Sequence, residues 1–269
     1  DLKGTSSVFI WIKPCTTNLL AGPRRRYMND QYKHIEALSG GKDSTAMALR
    51  LAEIEPREYI YAITPTGDEL PEMFAHWRHL EELLDMKLTV LSKGRSLKGE
   101  IKRQGALPSW RMRFCTRRLK IEPFNEYILR AWPCIVYVRM RADEVDDREG
   151  NRVHGGIEQR YPLVEWGWGK ADVLDYLAFR GVTIPERTDC ARCFFQTIAE
   201  WKQLYEQHPS IYADAVADEE ASGHTFRSPG RDTWPASLKE LAAEFDRGRV
   251  PRKRASMEGR AAMCSVCAR

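Results

Sequence analysis

Two groups of residues have types and spacings that could do chemistry. The first is Leu38-Ser39-Gly40-Gly41-Lys42-Asp43-Ser44-Thr45, a short loop between an apolar run at 34–38 and a stretch of helical character at 44–54. Glycines let a backbone come close to a ligand, and a following helix presents unpaired N–H groups and a positive dipole end, so the arrangement suits an oxyanion. The plainer alternative is a glycine turn entering a helix with Asp43 or Ser44 as cap. The second group is sulfur. Of seven cysteines, four fall in the pairs Cys190/Cys193 and Cys264/Cys267. Thiolates are soft ligands, and without a recognisable secretory signal such pairs point to zinc or an iron-sulfur cluster rather than disulfides. Cys15 and Cys134 read as bystanders, and the six histidines show no ligand spacing.

The elements that must position these groups alternate. Strands are expected at 34–38, 58–64, 87–91 and 135–139, and helices at 44–54, 71–86 and 116–131. Pro71 with Asp68 before it marks a helix start, and Phe74, Trp77, Leu80, Leu83 and Leu84 recur at helical spacing. A polar segment without an assigned element runs from the third strand to Trp110. The alternation implies an α/β fold with a doubly wound parallel sheet, whose ligands sit beyond the carboxyl ends of the strands. Three loops meet that rule, at Ser39, at Thr66-Gly67-Asp68 and at Arg141-Ala142-Asp143-Glu144. Further helices are expected at 170–180, 198–207 and 211–221, with an irregular Arg, Ser, Pro and Gly stretch at 223–235. Trp166 and Trp168 read as packing. The expected division is an extension at 1–27 outside the fold, with Met28 as a natural start, an α/β domain at 28–165 and a mostly helical, cysteine-containing appendage at 166–269.

Composition narrows the class. Forty-two basic against 38 acidic residues give a formal charge of +4, too mild to demand a nucleic-acid partner by itself. The distribution is more informative: Pro23-Arg24-Arg25-Arg26, the run 111–118 and the run 248–254 are basic clusters, two of them near aromatics that could stack bases. No apolar run approaches the roughly 20 residues of a membrane span. A soluble, cytoplasmic protein with no membrane partner is expected.

The loop does not fit the Walker A order, because Lys42 follows Gly40-Gly41 directly and Asp43 separates it from Ser44. Its Ser-Gly-Gly-x-Asp-Ser order instead resembles the PP-loop of the ATP pyrophosphatases, and three further segments resemble the PAPS reductase family among them. These are Thr66-Gly67-Asp68-Glu69-Leu70-Pro71-Glu72, Cys115-Thr116-Arg117-Arg118-Leu119-Lys120-Ile121-Glu122-Pro123-Phe124 and Arg139-Met140-Arg141-Ala142-Asp143-Glu144. The likeness runs in order from about 33 to 200 and is greatest to the small phage and mobile-element type.

The resemblance implies a Rossmann-like PP-loop domain in which Ser39, Gly40, Gly41, Lys42, Asp43 and Ser44, with Thr66, Gly67, Asp68 and Arg141, hold ATP with Mg. Lys42, Asp43, Arg141 and Asp143 would then be catalytic. It implies adenylation with pyrophosphate release, serving sulfur transfer onto a nucleic acid or nucleotide, with a sulfur donor protein and a homo-oligomer as partners. The alternatives are a sulfonucleotide reductase producing sulfite and a non-catalytic nucleotide- or nucleic-acid-binding module. For the cysteines, the resemblance implies a 4Fe-4S cluster on Cys115, Cys190, Cys193 and Cys267, with Cys264 as the other fourth ligand. A structural zinc on Cys190, Cys193, Cys264 and Cys267 stays open. Two departures stand out. The tail Met263-Cys264-Ser265-Val266-Cys267-Ala268-Arg269 lacks the Glu-Cys-Gly-x-His segment of the sulfonucleotide reductases, and Phe114-Cys115 replaces the adjacent cysteines of those that carry a cluster.

Overall fold

The short apolar runs pair as parallel strands. A computed structural model describes residues 32–145 and 157–251. Its strands are β1 (Lys33–Ala37), β2 (Tyr59–Ile63), β3 (Thr89–Val90), β4 (Cys134–Tyr137) and β5 (Glu158–Arg160), in the order β3-β2-β1-β4-β5 with every pair parallel. The pleat sends alternate residues to opposite faces. Tyr59, Tyr61, Ile135 and Tyr137 meet α1 (Lys42–Ile54), α2 (Pro71–Leu84) and a later helix through Met47, Leu51, Met73, Leu80, Val173 and Leu177. Ile35, Ala62 and Val136 face the other way, onto Phe124 and Ile128. Both faces are therefore covered, as a doubly wound parallel sheet requires.

A third core lies in the helices. It joins Leu97 and Ile101 of α3 (Leu97–Gln104), Phe114 and Leu119 ahead of α4 (Glu122–Arg130), and the buried faces of the C-terminal helices. The helix packed on α1 is α5 (Lys170–Phe179); beyond it come α6 (Ile198–Gln207), α7 (Pro209–Ser222) and α8 (Leu238–Asp246). Trp201, Leu204, Tyr212, Leu238, Leu241 and Phe245 fill their interior. Trp166 and Trp168 pack edge to face at 5.2 Å against the sheet core.

Three elements differ from the sequence expectation. α3 lies in the stretch read as polar and unassigned: Ser96 caps it by accepting the Gly99 N–H at 3.2 Å, yet only Leu97 and Ile101 supply apolar anchors. β5 reads Glu-Gln-Arg and is held by its pairing with β4 and by Arg160 clasping Glu55 at 2.8 and 3.0 Å. The expected helix at 116–131 is interrupted by a wide turn over Arg117–Ile121, in which the Glu122 N–H reaches back five residues to Arg117 O. Pro123 has no N–H to continue that pattern, and the Arg118 carbonyl it would have met accepts Arg95 Nη1 at 3.3 Å.

The 1–27 extension with the first basic cluster, residues 252–254 of the last one, Cys264 and Cys267 lie outside the described residues. Among the described residues no helix is long and apolar enough to cross a membrane.

Candidate nucleotide and thiol site

β2 and β3 extend the sheet to one side of β1, and β4 and β5 to the other. The crevice above the carboxyl ends of β1 and β4 is therefore the topological switch point, where open α/β sheets take their ligands. The loop 39–44 sits there. Gly40 has φ +82°, and a Cβ on it would stand 2.7 Å from Trp77 Nε1 and 3.0 Å from Met73 Cε, so conformation and space both require glycine. Trp77 Nε1 donates to Ser39 O at 3.4 Å, which makes α2 the prop beneath the loop. The Ser39 and Ser44 hydroxyls lie 2.9 Å apart, the Gly41 N–H donates to Ser39 Oγ at 3.3 Å, and Ser44 Oγ donates to Gly41 O at 3.1 Å.

α1 thus begins at a rigid, closed loop. Its N-cap is Gly41, which has no side chain to bond the first N–H groups of the helix, so neither Asp43 nor Ser44 stands at the cap. The first N–H groups of α1 are left for an anion. Lys42 is half-buried and has no carboxylate partner among the described residues.

Arg141 has a different situation. It is 6% exposed and meets three carboxylates: Nη1 to Asp43 Oδ2 at 3.0 Å, Nε to Asp143 Oδ1 at 2.8 Å and Nη2 to Glu144 Oε1 at 2.9 Å. Burial works against its charge, but Asp43 and the other carboxylates outweigh that and raise its pKa further. Asp143 is opposed by partial burial, yet Arg141 and the Lys170 N–H at the start of α5 hold its carboxyl below the usual range. Arg141 thus locks the loop after β4 to the first turn of α1. Asp43 Oδ1, in contrast, is buried without a hydrogen-bond partner among the described residues.

The third predicted loop meets the sulfur. Thr66 donates its N–H and its hydroxyl to Glu69 Oε1, each at 2.7 Å. With that proton committed, the Cys190 thiol 3.2 Å away is the donor to Thr66 Oγ1. Gly67 lies at φ +70°, against Ser96. Asp68 is buried and held by Arg192, whose N–H reaches Oδ2 at 2.9 Å and whose Nε reaches Oδ1 at 2.6 Å. Arg192 also pairs with Asp218 of α7. Asp68 is therefore an anchor for the Cys190–Cys193 turn.

Burial raises the Cys115 and Cys190 thiols and pushes Cys193 up to about 12, while the charge of Lys120 opposes it at all three. Cys115 and Cys193 also feel one another, and the Phe195 N–H reaches the Cys193 sulfur. Among the described residues no three His, Cys, Asp or Glu side chains are gathered so as to hold a metal ion. The described thiols do not by themselves form a metal centre, and no chemical step is routed through one.

Sequence reasoning found the loops but not their supports: Trp77 and Met73 under Gly40, Arg192 on Asp68, Lys120 among the thiols. A charged residue inside Cys190-Ala191-Arg192-Cys193 was the available signal, but its partner Asp68 lies 124 residues away.

The parallel α/β sheet, with an uncapped helix start at its switch point and a lysine there that has no carboxylate partner among the described residues, has the PP-loop fold. The chain belongs to the phosphoadenosine phosphosulfate reductase domain family, whose model matches residues 33–186. That span covers the sheet and all three loops and stops short of Cys190. Among curated proteins none matches the chain. Solved structures of similar fold include phosphoadenylyl-sulfate reductase from Candida auris in a phosphate complex, 17% identical over 58% of this chain and 74% of that one, with a TM-score of 0.46. The tRNA thiolase NcsA from Methanococcus maripaludis, solved with its 4Fe-4S cluster, is 15% identical over 81% of this chain and 82% of its own, with a TM-score of 0.46. NMN synthetase from Francisella tularensis is 15% identical over 84% and 90%, with a TM-score of 0.44.

Proposed function

We propose that the chain binds ATP at the loop 39–44 and activates an acceptor by adenylation, for sulfur transfer onto a nucleic acid or nucleotide. One observation carries the reading: the uncapped start of α1 at the switch point, with Lys42 that has no carboxylate partner among the described residues. An acceptor oxygen attacks the α-phosphorus as the bond to pyrophosphate breaks. The α1 N–H groups and Lys42 meet the charge on the departing phosphates, so catalysis rests on positioning and electrostatics. Asp43 Oδ1 suits a Mg ion, which would neutralise phosphate charge. Arg141 and Asp143 act by holding Asp43 and the loop after β4. The Cys190 thiol beside Thr66, with Cys193 near it and Cys115 near Cys193, supports sulfur as the element transferred; a cluster completed by Cys267 or Cys264, a sulfur donor protein and a homo-oligomer belong to the same proposal.

The experiment is pyrophosphate release from ATP with Lys42→Ala and Asp43→Ala. Each variant is expected to lose activity at least a hundredfold with unchanged circular dichroism; full activity in both overturns the reading. Family membership supports one rival, a sulfonucleotide reductase, and sulfite production from PAPS with thioredoxin, without pyrophosphate release from ATP, would establish it instead. Iron and zinc analysis of anaerobically purified protein decides between cluster and zinc.

A further inference from the structure

The segment leading into Cys115 carries large apolar side chains in the open. Trp110 is 61% exposed, Met112 50% and, across from them, Phe195 46%. The Ser109 and Met112 backbones close a tight turn, Ser109 N–H to Met112 O at 3.2 Å, that puts Trp110 and Arg111 at its tip. Each aromatic faces a guanidinium: Arg111 lies 4.7 Å from the Trp110 ring centre and Arg113 5.7 Å from that of Phe195.

The charge on this strip is uncompensated. The neighbouring Arg117 and Arg118 lie near Glu122 and Glu100, at 3.7 and 3.8 Å. Among the described residues neither Arg111 nor Arg113 has a carboxylate partner, and Arg113 Nε has no hydrogen-bond partner at all. An apolar protein partner would have no use for two unpaired cations there. Flat rings beside free guanidiniums match a strand that offers base faces and phosphates together.

We propose that Trp110, Arg111, Met112, Arg113 and Phe195 form a platform for single-stranded nucleic acid. Unpaired bases stack on Trp110 and Phe195, and Arg111 and Arg113 meet the phosphates between them. The proposal rests on the nucleic-acid acceptor reading and narrows it to unpaired bases, since the faces of bases inside a duplex are already stacked. The position fits delivery to the site: Phe114 is buried directly after the strip, Cys115 follows it, and the Phe195 N–H contacts Cys193.

The test is fluorescence anisotropy of labelled single-stranded DNA and RNA oligonucleotides, and of a duplex of equal length, with the full chain. The wild type is expected to bind single strands more tightly than duplex. The Trp110→Ala/Phe195→Ala variant should lose on the order of tenfold per aromatic removed, and Arg111→Ala/Arg113→Ala should also flatten the salt dependence. Lys42→Ala, which removes the proposed ATP contact, should bind oligonucleotides as the wild type does, so a failed ATP reading and a failed platform are told apart. Equal affinity for duplex, no binding, or wild-type affinity in the folded Trp110→Ala/Phe195→Ala variant overturns the proposal.

Discussion

Arg141 shows how a residue's type and its work can separate. An arginine on the loop after a strand, above a phosphate-binding loop, reads naturally as a phosphate contact. In the folded chain each of its three nitrogens meets a carboxylate, of Asp43, Asp143 and Glu144, the first of them 98 residues away. Lysine is a poor substitute at such a site, because its three N–H donors sit on one nitrogen and do not span carboxylates that meet Nε, Nη1 and Nη2 of a planar guanidinium. In Arg141→Lys the buried carboxylates of Asp43 and Glu144 lose hydrogen bonds while the positive charge is kept, and a hydrogen bond to a charged group is worth about 1.5–3 kcal/mol. Thermal denaturation of Arg141→Lys is therefore expected to show a large fall in Tm, with the folded fraction keeping more ATP affinity than Lys42→Ala. An unchanged Tm with lost ATP affinity would instead make Arg141 a direct phosphate ligand.

At the level of elements, β1 carries a local conflict. Glu36 sits in the central strand, opposite Tyr61 and Tyr137, fully buried and without a hydrogen-bond partner among the described residues. Burial pushes its carboxyl well above the usual range. Leaving a buried polar group unsatisfied costs about 1–3 kcal/mol, and an apolar group of similar shape removes that cost. Glu36→Met is thus expected to stabilise the protein by about that amount in urea denaturation at neutral pH; a destabilised variant would reveal a partner for the carboxyl. The same strand explains what was legible. β2 and β4 are short apolar runs buried on both faces, and α1, α2 and α6 repeat apolar residues at helical spacing, so pattern alone finds them. α3 and β5 are too polar for pattern to reveal. Their stability comes from the Ser96 cap and the Arg160–Glu55 clasp, contacts that exist only once the chain has folded. The loop at Ser39 was legible because glycine geometry is local, whereas the links from Asp68 to Arg192 and from Asp43 to Arg141 were not.

Across the whole molecule, the helical layer is tied to the sheet's loops through Arg192, which spans Asp68 and Asp218. It is closed on itself by Glu219 of α7, which accepts the Phe226 N–H at 2.9 Å and the Leu238 N–H at 2.7 Å and so fixes the irregular stretch 223–235 before α8. Burial raises the Glu219 carboxyl to about 7 from an ordinary 4.5, against the pull of those two N–H groups and of Arg227. Between these values the folded chain keeps a proton that the unfolded chain has released. Stability from this group is complete below about 4.5 and is lost as pH rises through about 7, with a slope of at most about 1.4 kcal/mol per pH unit. Glu36 has the same sign, so the two must be separated. In a Glu36→Met background, adding Glu219→Gln is expected to lower Tm at pH 5, because the two N–H groups meet different carboxyl oxygens and the NH2 that replaces one of them cannot accept, and to flatten the decline toward pH 8. A decline of unchanged slope in the double variant would show that Glu219 is already ionised in the folded protein and that the helical layer closes without a proton.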